Sequence, residues 1–357
     1  MEILHIAGLE GELPDNKVPD GLTENDLIEI FRNAVLLRTF DERAVALQRQ
    51  GRIGTYPPFW GEEGIQAGPV HAAAPEDWLF PSYRQSAVGI LRGLPPSKIF
   101  KYRRGYGGTQ GFWDARKYRV APMVVAIATQ LPHAVGLAWA AKLRGDDVAS
   151  LVWFGDGATS EGDFHEAMNF ASVHQVPTVF FNTNNQWAIS TPYTRQTATE
   201  TIAEKAAAYA MPGVRVDGFD PIACWKAARD ALDRAHNGGG PTLVEAFCYR
   251  IAPHATADDP GRYRDESVTD GWKRMEPVGR TAAFLKRIGV LDDETEEKIM
   301  QEAKDKIAQA VVELEEGDPP GAEVMFEHVY KNGRPFTFDE GLADLDQLHG
   351  GPEQGAK

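Results

Sequence analysis

Cysteine is scarce in this chain of 357 residues, which holds two, Cys224 and Cys248. Neither belongs to a C-x-x-C pair or stands at a metal-type spacing from a histidine. A disulfide framework and a thiolate metal centre are therefore excluded, and both thiols read as small buried apolar groups. A chain with no need of disulfides is expected in a reducing cytoplasm. Basic charge is also short: 37 Lys plus Arg stand against 52 Asp plus Glu, a formal net charge of −15. That balance argues against a sequence-blind nucleic-acid binder, which needs basic patches. No apolar run reaches the about 20 residues of a membrane span. The most apolar window, residues 120–143, is broken by Thr129, Gln130, Pro132, His133 and Lys142 and reads as buried core. The amino terminus, MEILHIAGLEGELPDNKVPD, is acidic and has no basic n-region, so no secretory signal is expected. A G-x-G-x-x-G dinucleotide fingerprint is missing too. After Gly155-Asp156-Gly157 the next glycine, Gly162, comes too late, and Asp156 would repel a pyrophosphate unless a metal stood between them.

What is present is an ordinary globular composition, 43% apolar and 25% charged. Residues 1–22, with Pro14 and Pro19, read as an extended arm. Thr23-Glu-Asn-Asp26 forms a capping box, and Leu27, Ile30, Phe31, Ala34 and Val35 follow at helical spacing. Residues 51–64 are a Gly, Pro and aromatic loop. A buried strand over 148–154, a helix over 160–174 and a strand over 178–181 make a βαβ unit with parallel strands. Asp220 and Pro221 cap and open another helix, and residues 242–247 are the next strand. This alternation predicts an α/β fold, a doubly wound, mostly parallel sheet with helices on both faces. We divide the chain into the arm (1–22), an α/β domain (23–276), a helical region (277–330, helical over 277–316) and a polar tail (331–357).

The chemistry gathers at strand ends, where open α/β sheets bind ligands. Gly155-Asp156-Gly157 follows one predicted strand and Asn184-Asn185 the next. Neighbouring parallel strands lie about 4.8 Å apart, so the Asp156 carboxylate and the Asn185 amide oxygen can aim at one spot. Hard oxygen ligands of this kind suit Mg2+, which completes its octahedron with water and phosphate oxygens. Gly157 permits close approach of a phosphate, and the amides of Ala158 and Thr159 at a helix start suit an anion. The pattern reads as a Mg2+–diphosphate site.

GDGATSEGDFHEAMNF followed by TNNQWAISTP resembles the thiamine diphosphate signature, with 26 residues (158–183) between Gly157 and Asn184. From about residue 22 to 330 the chain resembles the α subunit of heterotetrameric 2-oxo acid dehydrogenases, the decarboxylating first component of the pyruvate and branched-chain complexes. RQGRIGTYPPFWGEEG, FPSYRQS, ATQLPHAVG, RVDGFD and YRIAPHATADDP all contribute. The resemblance implies Asp156, Asn185 and the Trp187 carbonyl as Mg2+ ligands. Gly157, Ala158, Tyr83 and Arg84 would contact the diphosphate, and Ile127 would hold thiamine diphosphate bent. Thr129 and Gln130 match a structural K+ site. His254 would lie near the reactive carbon, assisting proton transfer and acyl handover, with Arg250 anchoring its loop.

The implied reaction is oxidative decarboxylation of a 2-oxo acid with acyl transfer to lipoyl. The implied partners are a β subunit that supplies the activating glutamate, in a two-α, two-β assembly, and a lipoyl-bearing dihydrolipoyl acyltransferase core. Neither nucleic acid nor membrane is expected. Pyruvate is slightly favoured over branched-chain 2-oxo acids because of the APHATADDPGRYR loop. Tyr56, Phe59 and Trp60 are candidate substrate walls. An acetoin dehydrogenase α subunit, a non-catalytic cofactor-binding scaffold and a nicotinamide enzyme are the alternatives. Three departures stand out. Thr183 occupies a position where relatives often carry Arg, the segment 107–119 lacks the usual Met-x-His-type motif, and Ala255 replaces a phosphorylatable Ser, although Thr256 keeps a hydroxyl nearby.

Overall fold

The computed structural model describes residues 2–8, 18–106, 111–317, 319–321, 324 and 338–344. Its strands are β1 (Trp78–Phe80), β2 (Ser150–Gly155), β3 (Thr178–Asn184), β4 (Trp187–Ala188), β5 (Thr191–Pro192), β6 (Gly213–Asp217) and β7 (Thr242–Phe247). Its helices are α1 (Glu24–Arg49), α2 (Glu63–Ala72), α3 (Val88–Leu91), α4 (Pro96–Arg104), α5 (Ala115–Tyr118), α6 (Gln130–Arg144), α7 (Gly162–Val173), α8 (Pro221–His236), α9 (Glu266–Lys273), α10 (Pro277–Arg287) and α11 (Asp293–Glu315).

Five strands form one parallel sheet in the order β1-β2-β3-β7-β6, and β4 and β5 form a separate two-stranded hairpin. The central strands are apolar on both faces because helices cover both. Alternate residues divide between two cores. Leu151, Trp153, Val179, Phe181 and Val244 pack with α1, α2 and α8, whereas Val152, Phe154, Phe180 and Leu243 pack with α6 and α7. Thus the predicted βαβ unit is β2-α7-β3, and Phe164, Ala167, Met168 and Ala171 are the buried stripe of α7. The predicted capping box at Thr23 and the Asp220–Pro221 helix start are both formed.

Three features differ from expectation. The predicted helix over 160–174 begins at Gly162, and Asp156–Ser160 form a tighter 3-10 turn, held where the Thr159 hydroxyl donates to the Asp156 carbonyl at 2.9 Å. The predicted helix over 277–316 is two helices, broken at a left-handed Gly289 and restarted by the Asp292 cap. Their stripe, including Ile299, Ala303, Ile307 and Leu314, joins the core that Leu27, Ile30 and Phe31 of α1 belong to. Helix α9, like α2 to α6, occupies residues over which the sequence predicts no helix. Its Trp272 lies parallel to Tyr249, with ring centroids 5.5 Å apart.

The described part of the arm docks on the sheet edge. Leu4 pairs in parallel with Val216 of β6, and the amides of Ile6 and Ala7 donate to Asp220 Oδ2 at 2.7 and 2.6 Å. The other Asp220 oxygen caps α8 through the amides of Ile222 and Ala223. Helices α2 and α8 meet backbone to backbone: a Cβ on Gly68 would lie 2.2 Å from the Pro221 carbonyl, and one on Gly64 would lie 2.9 Å from the Gly218 carbonyl. Among the described residues no helix is long and apolar enough to cross a membrane. Most of the predicted polar tail lies outside the described residues.

Candidate functional site

A cleft of about 770 Å³ opens where the chain leaves β1, β2 and β3, and Asp156, Gly157, Ala158, Asn185, Trp187, Ile127, Tyr83, Arg84 and His254 all line it. The register explains the meeting. Gly155 pairs with Thr183, so the residues that follow, Asp156 on β2 and Asn184-Asn185 on β3, leave the sheet side by side.

The carboxylate side is desolvated. Asp156 is 3% exposed, and burial pushes its pKa up to about 6 against the opposing Gln196 amide, which donates to Oδ2 at 2.6 Å. No cationic side chain among the described residues lies within ion-pair distance of it, so only the more distant Arg250 charge offsets its burial. Asn185 donates Nδ2 to Glu62 Oε1 at 2.8 Å, an amide orientation that leaves Oδ1 as the free oxygen, touched by the Trp187 amide at 3.3 Å. The Trp187 carbonyl accepts from Arg250 Nη1 at 2.9 Å. These three oxygens suit a hard cation. A Cβ on Gly157 would stand 2.9 Å from Ala188 Cβ, so only glycine fits there.

The cationic side faces it. Arg84 is buried, and its Nη2 donates to His254 Nδ1 at 3.0 Å and to the His254 carbonyl at 3.2 Å. Since a guanidinium only donates, Nδ1 is the acceptor, and neutral His254 carries its hydrogen on Nε2. Burial, then Arg84 and Arg250, lower the His254 pKa to about 4. The Tyr83 ring lies edge-on to His254, centroids 6.1 Å apart. Arg250 ties two loops together through the Ile189 carbonyl and the Tyr263 hydroxyl. Tyr263 and the His254 amide both donate to Asp258.

Among the described residues, three of the six left-handed non-glycine residues lie at or beside the cleft, Ala128 and Ile189 in its wall and Gln186 next to Asn185. Ala128, Gln186 and Ile189 have φ of 67°, 72° and 55°, a left-handed conformation that non-glycine residues rarely adopt and that clusters at functional sites.

Other predicted residues fall differently. Gln130 lines the cleft with a buried, unpartnered Oε1, but Thr129 does not line it. The amide of Ala158 belongs to the 3-10 turn rather than to a helix start. Tyr56 and Phe59 are not cleft walls. Both are 1% exposed, turned inward by buried Asp41, which accepts from the Tyr56 hydroxyl at 2.8 Å and the Phe59 amide at 2.9 Å. Thr55 and Pro57 face the cleft instead, and Trp60 is not among its lining residues. Thr183 is buried at the cleft and accepts weakly from Gln85. Part of the divergent segment, 107–110, lies outside the described residues.

The sequence predicts no role for Glu62. It is fully buried, accepts from Asn185 and from Gln85 at 3.1 Å, and lies 3.7 Å from Arg84 Nε, so it joins the two sides of the cleft. Its only local signal is a charged pair between two glycines, Gly61-Glu62-Glu63-Gly64.

The model of the dehydrogenase E1 component family matches residues 31–323. The chain is 43% identical over 307 residues, 85% of its length and 83% of the relative's, to 3-methyl-2-oxobutanoate dehydrogenase subunit alpha of Mycobacterium tuberculosis (strain CDC 1551 / Oshkosh). It is 37% identical over 341 residues, 95% of its length and 91% of the relative's, to pyruvate dehydrogenase E1 component subunit alpha of Bacillus cereus. It is 36% identical over 332 residues, 93% and 89% of the two chains, to the protein of that same name from Staphylococcus aureus (strain Mu50 / ATCC 700699).

Proposed function

Because the chain belongs to the dehydrogenase E1 component family, we propose that it is the α half of a thiamine diphosphate-dependent 2-oxo acid dehydrogenase whose cofactor enters through this cleft. One observation carries the assignment of the site. A desolvated carboxylate with no cation within ion-pair distance, Asp156, and a buried guanidinium whose carboxylate partner stands as far off as 3.7 Å, Arg84, line the same cleft. Mg2+ bound to a diphosphate satisfies both at once.

In this reading Asp156, Asn185 Oδ1 and the Trp187 carbonyl hold Mg2+. The amides of Gly157 and Ala158, with Tyr83 and Arg84, hold the diphosphate, and Ile127 supports the bend of the cofactor. When bound, the cofactor supplies the electron sink for decarboxylation and for acyl transfer to lipoyl. The chain's own contribution is to orient and to place a proton. Arg84 fixes the His254 tautomer, so that Nε2–H is the group available to hold or pass a proton. A β subunit completes the active site in a two-α, two-β assembly, and a lipoyl-bearing dihydrolipoyl acyltransferase core receives the acyl group. The substrate is a short 2-oxo acid. The relatives' names divide between pyruvate and 3-methyl-2-oxobutanoate, and the APHATADDPGRYR loop favours pyruvate.

The test is to co-purify the chain with its β partner, add Mg2+, thiamine diphosphate and an artificial electron acceptor, and offer pyruvate, 3-methyl-2-oxobutanoate and acetoin in parallel. Turnover of a 2-oxo acid that requires both chains and disappears in Asp156→Ala is expected. No turnover from a folded, cofactor-loaded heterotetramer would overturn the proposal.

A further inference from the structure

Arg103, in the last turn of α4, also lines the cleft, and its only tie to the residues assigned to the cofactor is one bond to a backbone carbonyl. Its Nη2 donates to the Tyr83 carbonyl at 2.8 Å and to the neutral Met123 thioether at 3.3 Å. The guanidinium lies over the rings of Tyr56, at 5.7 Å, and Tyr102, at 6.0 Å. Its Nε is buried without a partner. Among the described residues Nη1 has no hydrogen-bond partner and no carboxylate lies within 4.0 Å of the group.

Most other buried or half-buried arginines are answered; Arg92 also lacks a close carboxylate and an Nε partner, but it lies outside the cleft and gives Nη2 to the Ala73 and Ala74 carbonyls. Arg38 has Glu63 and Glu276, Arg84 has Glu62, Arg104 has Glu315 and Arg280 has Asp217. Arg250 and Arg264 lack a carboxylate but spend both terminal nitrogens on carbonyl and hydroxyl oxygens. Arg103 spends one on a sulfur and a carbonyl together and leaves the other open. A partly desolvated guanidinium in a ligand cleft, braced by two rings and lacking an anion, is a built anion receptor.

Its surroundings are not those of the metal side. Arg103 is held against Met123, four residues before Ile127, whereas the metal side of the cleft is tied through Glu62 and Gln196. We propose that Arg103 recognises the carboxylate of the incoming 2-oxo acid, and so selects acids over neutral 2-hydroxyketones such as acetoin. The proposal rests on the 2-oxo acid dehydrogenase reading. The same carboxylate departs as carbon dioxide, so a tight hold on it in the ground state would slow the reaction. Arg103 already shares Nη2 with Tyr83 and rests on neutral rings, which suits capture rather than a tight clamp. Its contribution therefore falls on KM rather than on kcat.

The experiment uses the loaded two-α, two-β enzyme with wild-type, Arg103→Gln and Arg103→Lys chains. Calorimetry measures the binding of methyl acetylphosphonate, an anionic mimic of a 2-oxo acid, and of diacetyl, a neutral diketone of similar size. Steady-state kinetics with the preferred 2-oxo acid accompany it. In Arg103→Gln the affinity ratio of phosphonate to diketone falls about tenfold to a hundredfold, the scale of one charge-assisted hydrogen bond, and KM for the acid rises. Arg103→Lys keeps the charge without the fork and shifts the ratio in the same direction by less, so it carries the test if the glutamine chain fails to fold. A ratio that does not move in whichever variant folds overturns the proposal and leaves Arg103 a packing residue. If the loaded wild-type enzyme turns over no 2-oxo acid, the underlying functional reading falls instead.

Discussion

Asp220, at the start of α8, receives the amides of Ile6, Ala7, Ile222 and Ala223 and lies 4.0 Å from the Arg280 guanidinium. Asp156, at the end of β2, has one close side-chain donor, Gln196, helped by the amides of its own turn. Both are buried, and burial raises both pKa values. The fold answers the first carboxylate from every direction and leaves the second short of positive charge. The shortfall stands in a cleft with a guanidinium across it, as expected where a ligand supplies what the protein withholds. Identical side chains at similar burial are thus separated by their donors, one structural and one functional.

The contrast is open to direct attack. Asp220→Ala strips the cap of α8, the anchor of the arm and the second, more distant carboxylate beside Arg280 together. It should lower stability by about 3–5 kcal/mol, read by denaturant unfolding, while the chains that remain folded keep their cofactor affinity. Asp156→Asn should do the reverse. Removing an uncompensated charge leaves stability unchanged or raises it by about 1 kcal/mol. Mg2+-dependent thiamine diphosphate binding, followed by calorimetry, should fall by more than the about 10–100-fold typical of losing an outer-shell partner. An Asp156→Asn chain that unfolds would show that its carboxylate is structural after all.

Glu62→Gln tests the bridge between the two sides. The variant keeps the shape but can turn an amide toward Asn185, freeing the Asn185 side chain to rotate. Mg2+ affinity should weaken about tenfold or more with little change in melting temperature. Loss of stability without loss of metal affinity would place Glu62 with Asp220.

The smallest effect lies away from the cleft. Buried Asp77 accepts the amides of Ala74 and Ala149 and holds His236, which Asp147 also faces, raising the histidine pKa from 6.5 to about 9. A raised histidine stabilises the fold fully below its unfolded pKa, so this contribution is complete below pH 6.5 and is lost as pH climbs through about 9. Solvent screening of the half-buried ring limits it to about 1 kcal/mol. Unfolding measured across that window should lose this slope in His236→Gln.

Much of this architecture was legible in the sequence where the cause is local. The strands β2, β3 and β7 and helix α7 follow from apolar runs and spacing, the Thr23 and Asp220 caps from residue type beside a helix start, and Asp156 and Asn185 from the rule that ligands bind at strand ends. What escaped depends on partners far along the chain. Glu62 meets Asn185 across 123 positions and Asp220 meets Ile6 across 214, and no periodicity encodes either. Tyr56 and Phe59 resemble pocket aromatics in composition, but buried Asp41 turns both inward, a preference carried by the neighbouring helix. The break before α11 hinges on Gly289, whose left-handed turn a continuous apolar stripe conceals.

The seam between α2 and α8 sets a different kind of limit, on how the protein can change. Glu62 immediately precedes α2 and Asp220 immediately precedes α8, so the spacing of two backbones fixes the cleft carboxylate relative to the anchor of the arm. Side chains on the outer surface of α8 can drift without consequence. A single methyl at Gly64 or Gly68 has nowhere to go and would move a helix instead. In a randomised library selected for activity, those two positions should return almost invariant beside freely varied neighbours, although neither touches a ligand.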